Sequence, residues 1–259
     1  MTTVDTGVVS SVDNGVLHVL INRPASMNAV TTATLDAIAE SFEAHSENPE
    51  VRAAVLTGAG RAFCTGADIA GLDLSAAPSA ATIDAANRVT ATIRAFPHPV
   101  VGAVRGAAAG VGVSLALACD LTVASESSYF LLAFTRIGLM PDGGATALVA
   151  ASVGRARAMG LALLAERLPA DEAKQAGLIA QVYADDQFDA EVDSLLGRLA
   201  AGPASALRAT KDAINAATLT QLDFAFERER AGQLALLEAP DFIEGVAAFQ
   251  NKRSPKFIR

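Results

Sequence analysis

The chain has 259 residues, 51 % of them hydrophobic and 19 % charged, with a formal net charge of −8. That length suits one large domain or a domain with an appendage, buries about three quarters of its unfolded surface, and needs no disulfide or metal staple. The acidic balance, two Tyr and no Trp argue against a nucleic-acid surface, which wants basic patches and aromatic platforms.

The opening MTTVDTGVVS lacks a basic region followed by an apolar one, so no signal peptide is expected, and the expected location is cytoplasmic. Residues 8–12 and 16–21 flank Asp13-Asn14-Gly15, a hairpin signal. Asn22-Arg23-Pro24 ends the second strand. Residues 31–46 carry Leu35, Ile38 and Phe42 at spacings of three and four, which predicts an amphipathic helix. Residues 51–57 read as a buried strand, followed by the glycine-rich stretch GAGRAFCTGADIAG at 58–71. Small residues there let a ligand approach the main chain, so exposed N–H groups can act as donors.

Residues 76–81 predict a mobile connection, and 83–96 a helix stopped by Pro97-His98-Pro99. Residues 100–104 read as a short buried strand, and a second glycine cluster, GAAAGVGVSLALACD at 106–120, leads into a helix over 110–118. Arg105 and the glycines fit a buried strand-turn-helix better than a membrane span. Residues 121–124 and 129–132 are further strands, and a third glycine cluster, GLMPDGGAT, occupies 138–146. Strand–helix alternation with buried apolar strands predicts an α/β fold.

Beyond residue 144 the pattern turns helical, over 145–154, 156–165, 170–176, 188–201, 203–217, 221–237 and 240–251, with 182–184 the one strand candidate. Pro203 and Pro240 suit a first helical turn, where a missing N–H costs nothing. Cys64 and Cys119 lie far apart, and His18, His45 and His98 form no cluster, so neither disulfide nor metal spacing is present. The basic tail 252–259 is either a solvated terminus or a contact for an anionic partner such as a phosphate.

An ordered set of motifs resembles the crotonase superfamily, the enoyl-CoA hydratase/isomerase family. It runs from Asn22-Arg23-Pro24-Ala25-Ser26-Met27-Asn28-Ala29 through Gly66-Ala67-Asp68-Ile69, then residues 106–120, Pro141-Asp142-Gly143-Gly144 and Phe249-Gln250-Asn251-Lys252-Arg253. Each motif is weak alone; five in order cover essentially the whole chain. The resemblance implies a core of repeated ββα turns over residues 1–200 and a helical oligomerisation region over 201–259. It further implies a homotrimer or dimer of trimers and an acyl-CoA thioester ligand, with coenzyme A arriving as part of the substrate and no other cofactor; the charge, spacing and apolar pattern above predict no metal, nucleic-acid or membrane partner.

The resemblance also implies an oxyanion hole from the main-chain N–H groups of Ala67 and Val111. Val111 would start the helix at 110–118, where unpaired N–H groups and the helix dipole favour negative charge. One such donor is worth about 3–4 kcal/mol in a transition state. The family's hydratases use two glutamates, whose positions align here with Ser114 and Phe134. Neither can serve as base or acid at neutral pH, so two-glutamate hydration is not expected.

Asp142 stands where the single-acid isomerase branch carries its carboxylate, and apolar Phe134, Leu139 and Met140 would desolvate it. An Asp before a helix is also a good N-cap, and Asp142 reads that way too. The favoured chemistry is enoyl-CoA double-bond isomerisation. Alternatives are a non-standard hydratase, a ring-acyl-CoA isomerase, a lyase, or a catalytically silent acyl-CoA-binding homologue. Asp68 reads as a loop buttress or a group at the edge of the site. By the same resemblance, Ala25, Met27 and Ala29 line the adenine and pantetheine path, and Ala62, Cys64 and Thr65 add main-chain contacts. Asp68, Ile69, Ser114, Phe134 and Leu139 border the acyl group, a helix over 68–96 walls its pocket, and Phe249 and Lys252 reach the coenzyme A end.

Overall fold

The computed structural model describes residues 6–72, 77 and 79–257. The hairpin forms as the sequence implies: β1 (Val8–Asp13) and β2 (Val16–Ile21) run antiparallel, with Asn14 and Gly15 both at positive φ in the turn. Four strands then add in parallel, namely β3 (Ala53–Gly58), β5 (Val100–Val104), β7 (Leu121–Ser125) and β10 (Gln181–Tyr183), giving the order β1-β2-β3-β5-β7-β10. Their sequences are near-continuous apolar runs because both faces are covered.

A second sheet, in the order β4-β6-β8-β9, comprises β4 (Ala62–Cys64), β6 (Ala107–Ala109), β8 (Tyr129–Leu131) and β9 (Leu168–Pro169). Sequence reading missed β4, β6 and β9. They have three residues or fewer, and alanine runs carry no periodicity to detect. The second sheet gives the architecture its repeat. Three strands of the first sheet are each followed by a short one of the second, as β3–β4, β5–β6 and β7–β8. Helices α2 (Ala81–Ala95) and α3 (Val111–Ala118) complete the first two of these turns.

The main core lies among the two sheets, α1 (Thr32–His45), α2, α3 and α4 (Ala145–Leu164), with Leu17, Ile21, Leu35, Phe42, Phe63 and Leu115 fully buried. The other face of the first sheet is closed by α6 (Phe188–Ala200), whose Phe188, Val192 and Leu196 meet Val16, Val55, Val101 and Val123. A short α5 (Ala170–Gln175) precedes β10, and α7 (Ala204–Thr218), α8 (Leu222–Leu237) and α9 (Pro240–Gln250) end the chain. Helix α7 is anchored by Lys211, whose ammonium pairs with Asp120 at 2.9 Å and donates to the Ile93 and His98 carbonyls.

Several expectations need correction. Of the wall expected as a helix over 68–96, the described residues up to 72 form a bridge and turns, and α2 covers Ala81–Ala95. Part of the connection expected to be mobile, residues 76 and 78, lies outside the described residues. Helix α4 begins at Ala145, after Gly143 and Gly144 at positive φ, and the non-helical Gly154 (φ 73°) kinks it into two helical segments, as the two helices expected over 145–154 and 156–165 imply. Among the described residues α4 alone is long and apolar enough to cross a membrane, but it breaks at Gly154 and Arg155 and Arg157 follow. Among the described residues after 144 there are two strands, β9 as well as β10.

Candidate active site

The first two glycine clusters meet backbone to backbone. A Cβ on Gly66 (φ 102°) would lie 3.2 Å from the Ala109 carbonyl oxygen, and one on Gly110 (φ 54°) would lie 3.4 Å from the Gly66 Cα. Around Ala67, the Gly66 carbonyl accepts from the Val30 N–H and the Asp68 N–H donates to the Val30 carbonyl, both at 2.9 Å. Extended backbone alternates its hydrogen-bonding sides, so the Ala67 N–H turns away from Val30.

Val111 is the first residue of α3, so its N–H has no helical carbonyl four residues back. Gly112 allows this end of α3 to close on β4, since a Cβ there would stand 2.3 Å from the Cys64 carbonyl oxygen. The arrangement brings the Ala67 turn to the positive end of α3, a place suited to an oxyanion.

The third cluster completes the neighbourhood. A Cβ on Gly143 would lie 3.0 Å from the Ser114 Cβ and 3.3 Å from the Val111 Cγ2, so the Asp142-Gly143 turn rests on α3. The Ser114 hydroxyl donates to the Asp142 carbonyl oxygen at 2.6 Å, and the Thr90 hydroxyl of α2 donates to the Gly143 carbonyl at 2.9 Å. These bonds leave the Asp142 side chain free to turn toward α8. It is 8 % exposed, and its Oδ2 accepts from the Gln233 Nε2 at 2.7 Å. Burial pushes its carboxyl up to about 7; the Gln233 bond opposes that rise and the nearby Glu229 charge adds to it.

Asp142 does not cap α4, since no side chain of that helix caps it and its N-cap residue is Gly144. The cap comes from α8. Fully buried Glu229 accepts from the Gly144 N–H at 2.7 Å, from the Thr146 N–H at 2.8 Å and from the Thr146 hydroxyl. Burial also raises the Glu229 carboxyl, and these three donors oppose that shift. Both its oxygens are engaged, which leaves Asp142 as the nearby acid able to exchange a proton.

The remaining expected residues sort by accessibility. Asp68 pairs with Arg23 at 3.0 Å, and the same guanidinium donates to the Ala29 carbonyl, as befits a loop buttress. Ala29, Ala62 and Cys64 are buried, so only their main chain can meet a ligand, and burial pushes the Cys64 thiol up to about 12. Phe134 is 7 % exposed within the main core and Leu139 packs partly buried against that core. Ser114 is fully buried and already bonded.

Ala25 and Met27 are exposed, and the Thr65 hydroxyl donates to the Met27 carbonyl at 3.1 Å. Phe249 and Lys252 are exposed at the end of α9, where Gln250 bonds the Ile69 and Leu72 carbonyls and so sets that helix end beside the Ala67 loop. A cavity of about 320 Å³ opens between α4 and α8, lined by Ala147, Ala151, Leu219 and Phe224 among others. It includes none of Ala67, Val111 and Asp142, so the chemistry is not assigned to it. Among the described residues no group of three His, Cys, Asp or Glu is placed to hold a metal ion.

Sequence reading missed Thr90, Glu229 and Gln233, and gave Asn28 no role. Asn28 is fully buried, accepts from the Arg23 N–H and donates to the Ala59 and Ala62 carbonyls, which staples the first motif to the first glycine loop. The signal for α8 was available: Leu222, Ala225, Glu229 and Gln233 share one helical stripe, and polar residues on an apolar stripe demand partners.

The Enoyl-CoA hydratase/isomerase family profile matches residues 11–259. Among curated relatives, the chain is 37 % identical to a 1,2-epoxyphenylacetyl-CoA isomerase of Escherichia coli K12, with 96 % of this chain and 97 % of the relative covered. It is 40 % identical to a probable enoyl-CoA hydratase of Rhodobacter capsulatus, with 95 % of each covered. Among solved structures, one described as an enoyl-CoA hydratase from Mycobacterium avium subsp. paratuberculosis K-10 superposes with a TM-score of 0.92 at 52 % identity, covering 98 % of this chain and 99 % of that one.

Proposed function

The chain belongs to the enoyl-CoA hydratase/isomerase family, and from that premise we propose that it is an enoyl-CoA double-bond isomerase in which Asp142 carries the proton. The substrate is a 3-enoyl-CoA thioester. The Asp142 carboxylate removes a proton from C2, and the electron pair moves onto the thioester oxygen as a dienolate. The Ala67 and Val111 N–H groups stabilise that oxyanion. Protonated Asp142 then returns the proton at C4, and the double bond ends between C2 and C3. Nothing is consumed, and coenzyme A is the carrier half of the substrate.

The observation that carries this reading is the buried Asp142 carboxyl, poised near neutrality on a turn that rests against α3, while Glu229 is committed to capping α4. A group with that pKa can act as base and then as acid at pH 7. Hydration needs a second proton-transfer group on the water. At the two positions expected for it, Ser114 is spent on the Asp142 backbone and Phe134 is core. The relative named as a 1,2-epoxyphenylacetyl-CoA isomerase supports a variant of the same one-acid chemistry on a ring-bearing acyl group.

Exposed apolar side chains on the later helices, Leu163, Leu164, Ile214 and Phe224, support a homotrimer or dimer of trimers, which sedimentation equilibrium would measure. The activity test offers a 3-enoyl-CoA and a 2-enoyl-CoA in parallel. Rising near-ultraviolet absorbance with the 3-enoyl substrate, lost in Asp142→Asn, is the expected result. Falling absorbance with the 2-enoyl substrate alone would mean hydration and would overturn the proposal.

A further inference from the structure

Helix α8 closes tightly on the loop that carries Asp142. A Cβ on Gly232 would fall 2.4 Å from the Met140 Sδ, so the bare glycine lets the helix approach. Gln233, the next residue, is 2 % exposed. Its Oε1 accepts from the Met140 N–H at 3.2 Å, and its Nε2 donates to the Asp142 Oδ2 at 2.7 Å. A backbone N–H can only donate, so it fixes which end of the amide faces Met140. The nitrogen then faces Asp142, and an amide N–H can likewise only donate. Oδ2 must therefore present a lone pair in both protonation states, and a neutral carboxyl accepts far better through its carbonyl oxygen than through its hydroxyl.

We propose that Gln233 is the positioning residue of the site, holding Oδ2 as a standing acceptor so that Oδ1 alone takes and returns the substrate proton. This rests on the reading of Asp142 as the proton carrier. The carboxyl need not rotate between the two transfers, and its reactive oxygen stays aimed while Ser114 and Thr90 hold the turn behind it.

The charged surroundings are few. Glu229 lies one turn earlier on α8 with its oxygens bonded to Gly144 and Thr146. From α2 and α3 come the neutral hydroxyls of Thr90 and Ser114. Asp84 of α2 and Arg230 of α8 pair with each other at 2.6 Å. Arg136, in the 3-10 turn before Gly138, bonds the Ala165 carbonyl at 2.6 Å, and Asp241 of α9 abuts Gly138 through its backbone.

The test is a carboxyl-carbon NMR titration of aspartate-labelled protein, with Asp142→Asn identifying the signal. In Gln233→Leu the Asp142 midpoint is expected to rise by about one unit or more, because a hydrogen bond to the charged form is lost. Gln233→Glu keeps the shape. Its acid form donates as the amide does, and its ionised form repels Asp142, so two coupled steps are expected. With 3-hexenoyl-CoA, the Leu variant should lose about ten- to a hundredfold in kcat with KM changed less than about threefold. The Glu variant should give a bell-shaped profile, active where the pair holds one proton and losing activity both at acidic pH, as Asp142 protonates too, and at higher pH, as the introduced acid ionises. An Asp142 midpoint in Gln233→Leu within about 0.3 units of the parent, against the one-unit shift expected, overturns this inference alone. Isomerase activity surviving in Asp142→Asn overturns the one-acid reading and the inference that rests on it, a result distinct from an unmoved midpoint.

Discussion

Asp142→Asn should stabilise the protein while abolishing its chemistry, and the stabilisation should depend on pH. The Asp142 carboxyl sits at about 7 in the fold against an ordinary value of 3.8. Its folded pKa is therefore raised. Below about pH 4 the acid is neutral in both states and costs nothing. Above that the unfolded chain ionises first, and folding is penalised by about 1.4 kcal/mol per pH unit until the folded acid also ionises near 7.

The full penalty is about 4 kcal/mol, and it is constant at higher pH. Asparagine is isosteric and neutral, and its Oδ1 can still accept from Gln233. Glu229 and the Lys211–Asp120 pair are present in both proteins and cancel in the difference. Urea unfolding at pH 4, 6 and 8, at one protein concentration, should show near equality at pH 4 and the variant ahead by about 3–4 kcal/mol at pH 8. For a chain of this size that corresponds to a rise in Tm of roughly 6–16 °C. A difference that stays flat across the three pH values would refute the account of a desolvated acid held for function.

In the active protein, kcat/KM for a 3-enoyl-CoA should climb through about pH 7 and level off as Asp142 ionises, and a profile already flat at pH 5 would contradict its role as base. Lys211→Met should cost about 3–5 kcal/mol in urea unfolding, since it strands Asp120 beside the Val100 N–H; adding Asp120→Asn should recover part of that loss. Gly112→Ala drives a methyl into the Cys64 carbonyl, so a loss of about 1–3 kcal/mol is expected, and an unchanged melting curve would mean that α3 does not seat as described. Cys64 and Cys119 are buried with thiols pushed well above the usual range; a disulfide reagent at pH 8 should leave both untouched until the chain is unfolded.

Much of this protein is legible along its sequence. The apolar strands β3, β5 and β7 announce themselves as buried runs, α1 by Leu35, Ile38 and Phe42, and the oxyanion-hole candidates by glycines that only a close backbone approach requires. Asp142 stands out because it interrupts a stretch of small and apolar residues.

Three things only the tertiary structure decided. The second sheet rests on tripeptides of alanine and neighbours, whose strand state comes from pairing and not from local preference. That Asp142 does not cap α4 turned on where its side chain points, toward Gln233 of α8, while Ser114 and Thr90 bond the backbone of its turn. Glu229 and Gln233 lie 85 and 91 residues away from the groups they hold, Gly144 and Asp142. Local sequence encodes propensity and periodicity, which act over a few residues. The state of a buried carboxyl depends on which distant dipoles the fold brings against it, and that is settled only when α8 docks.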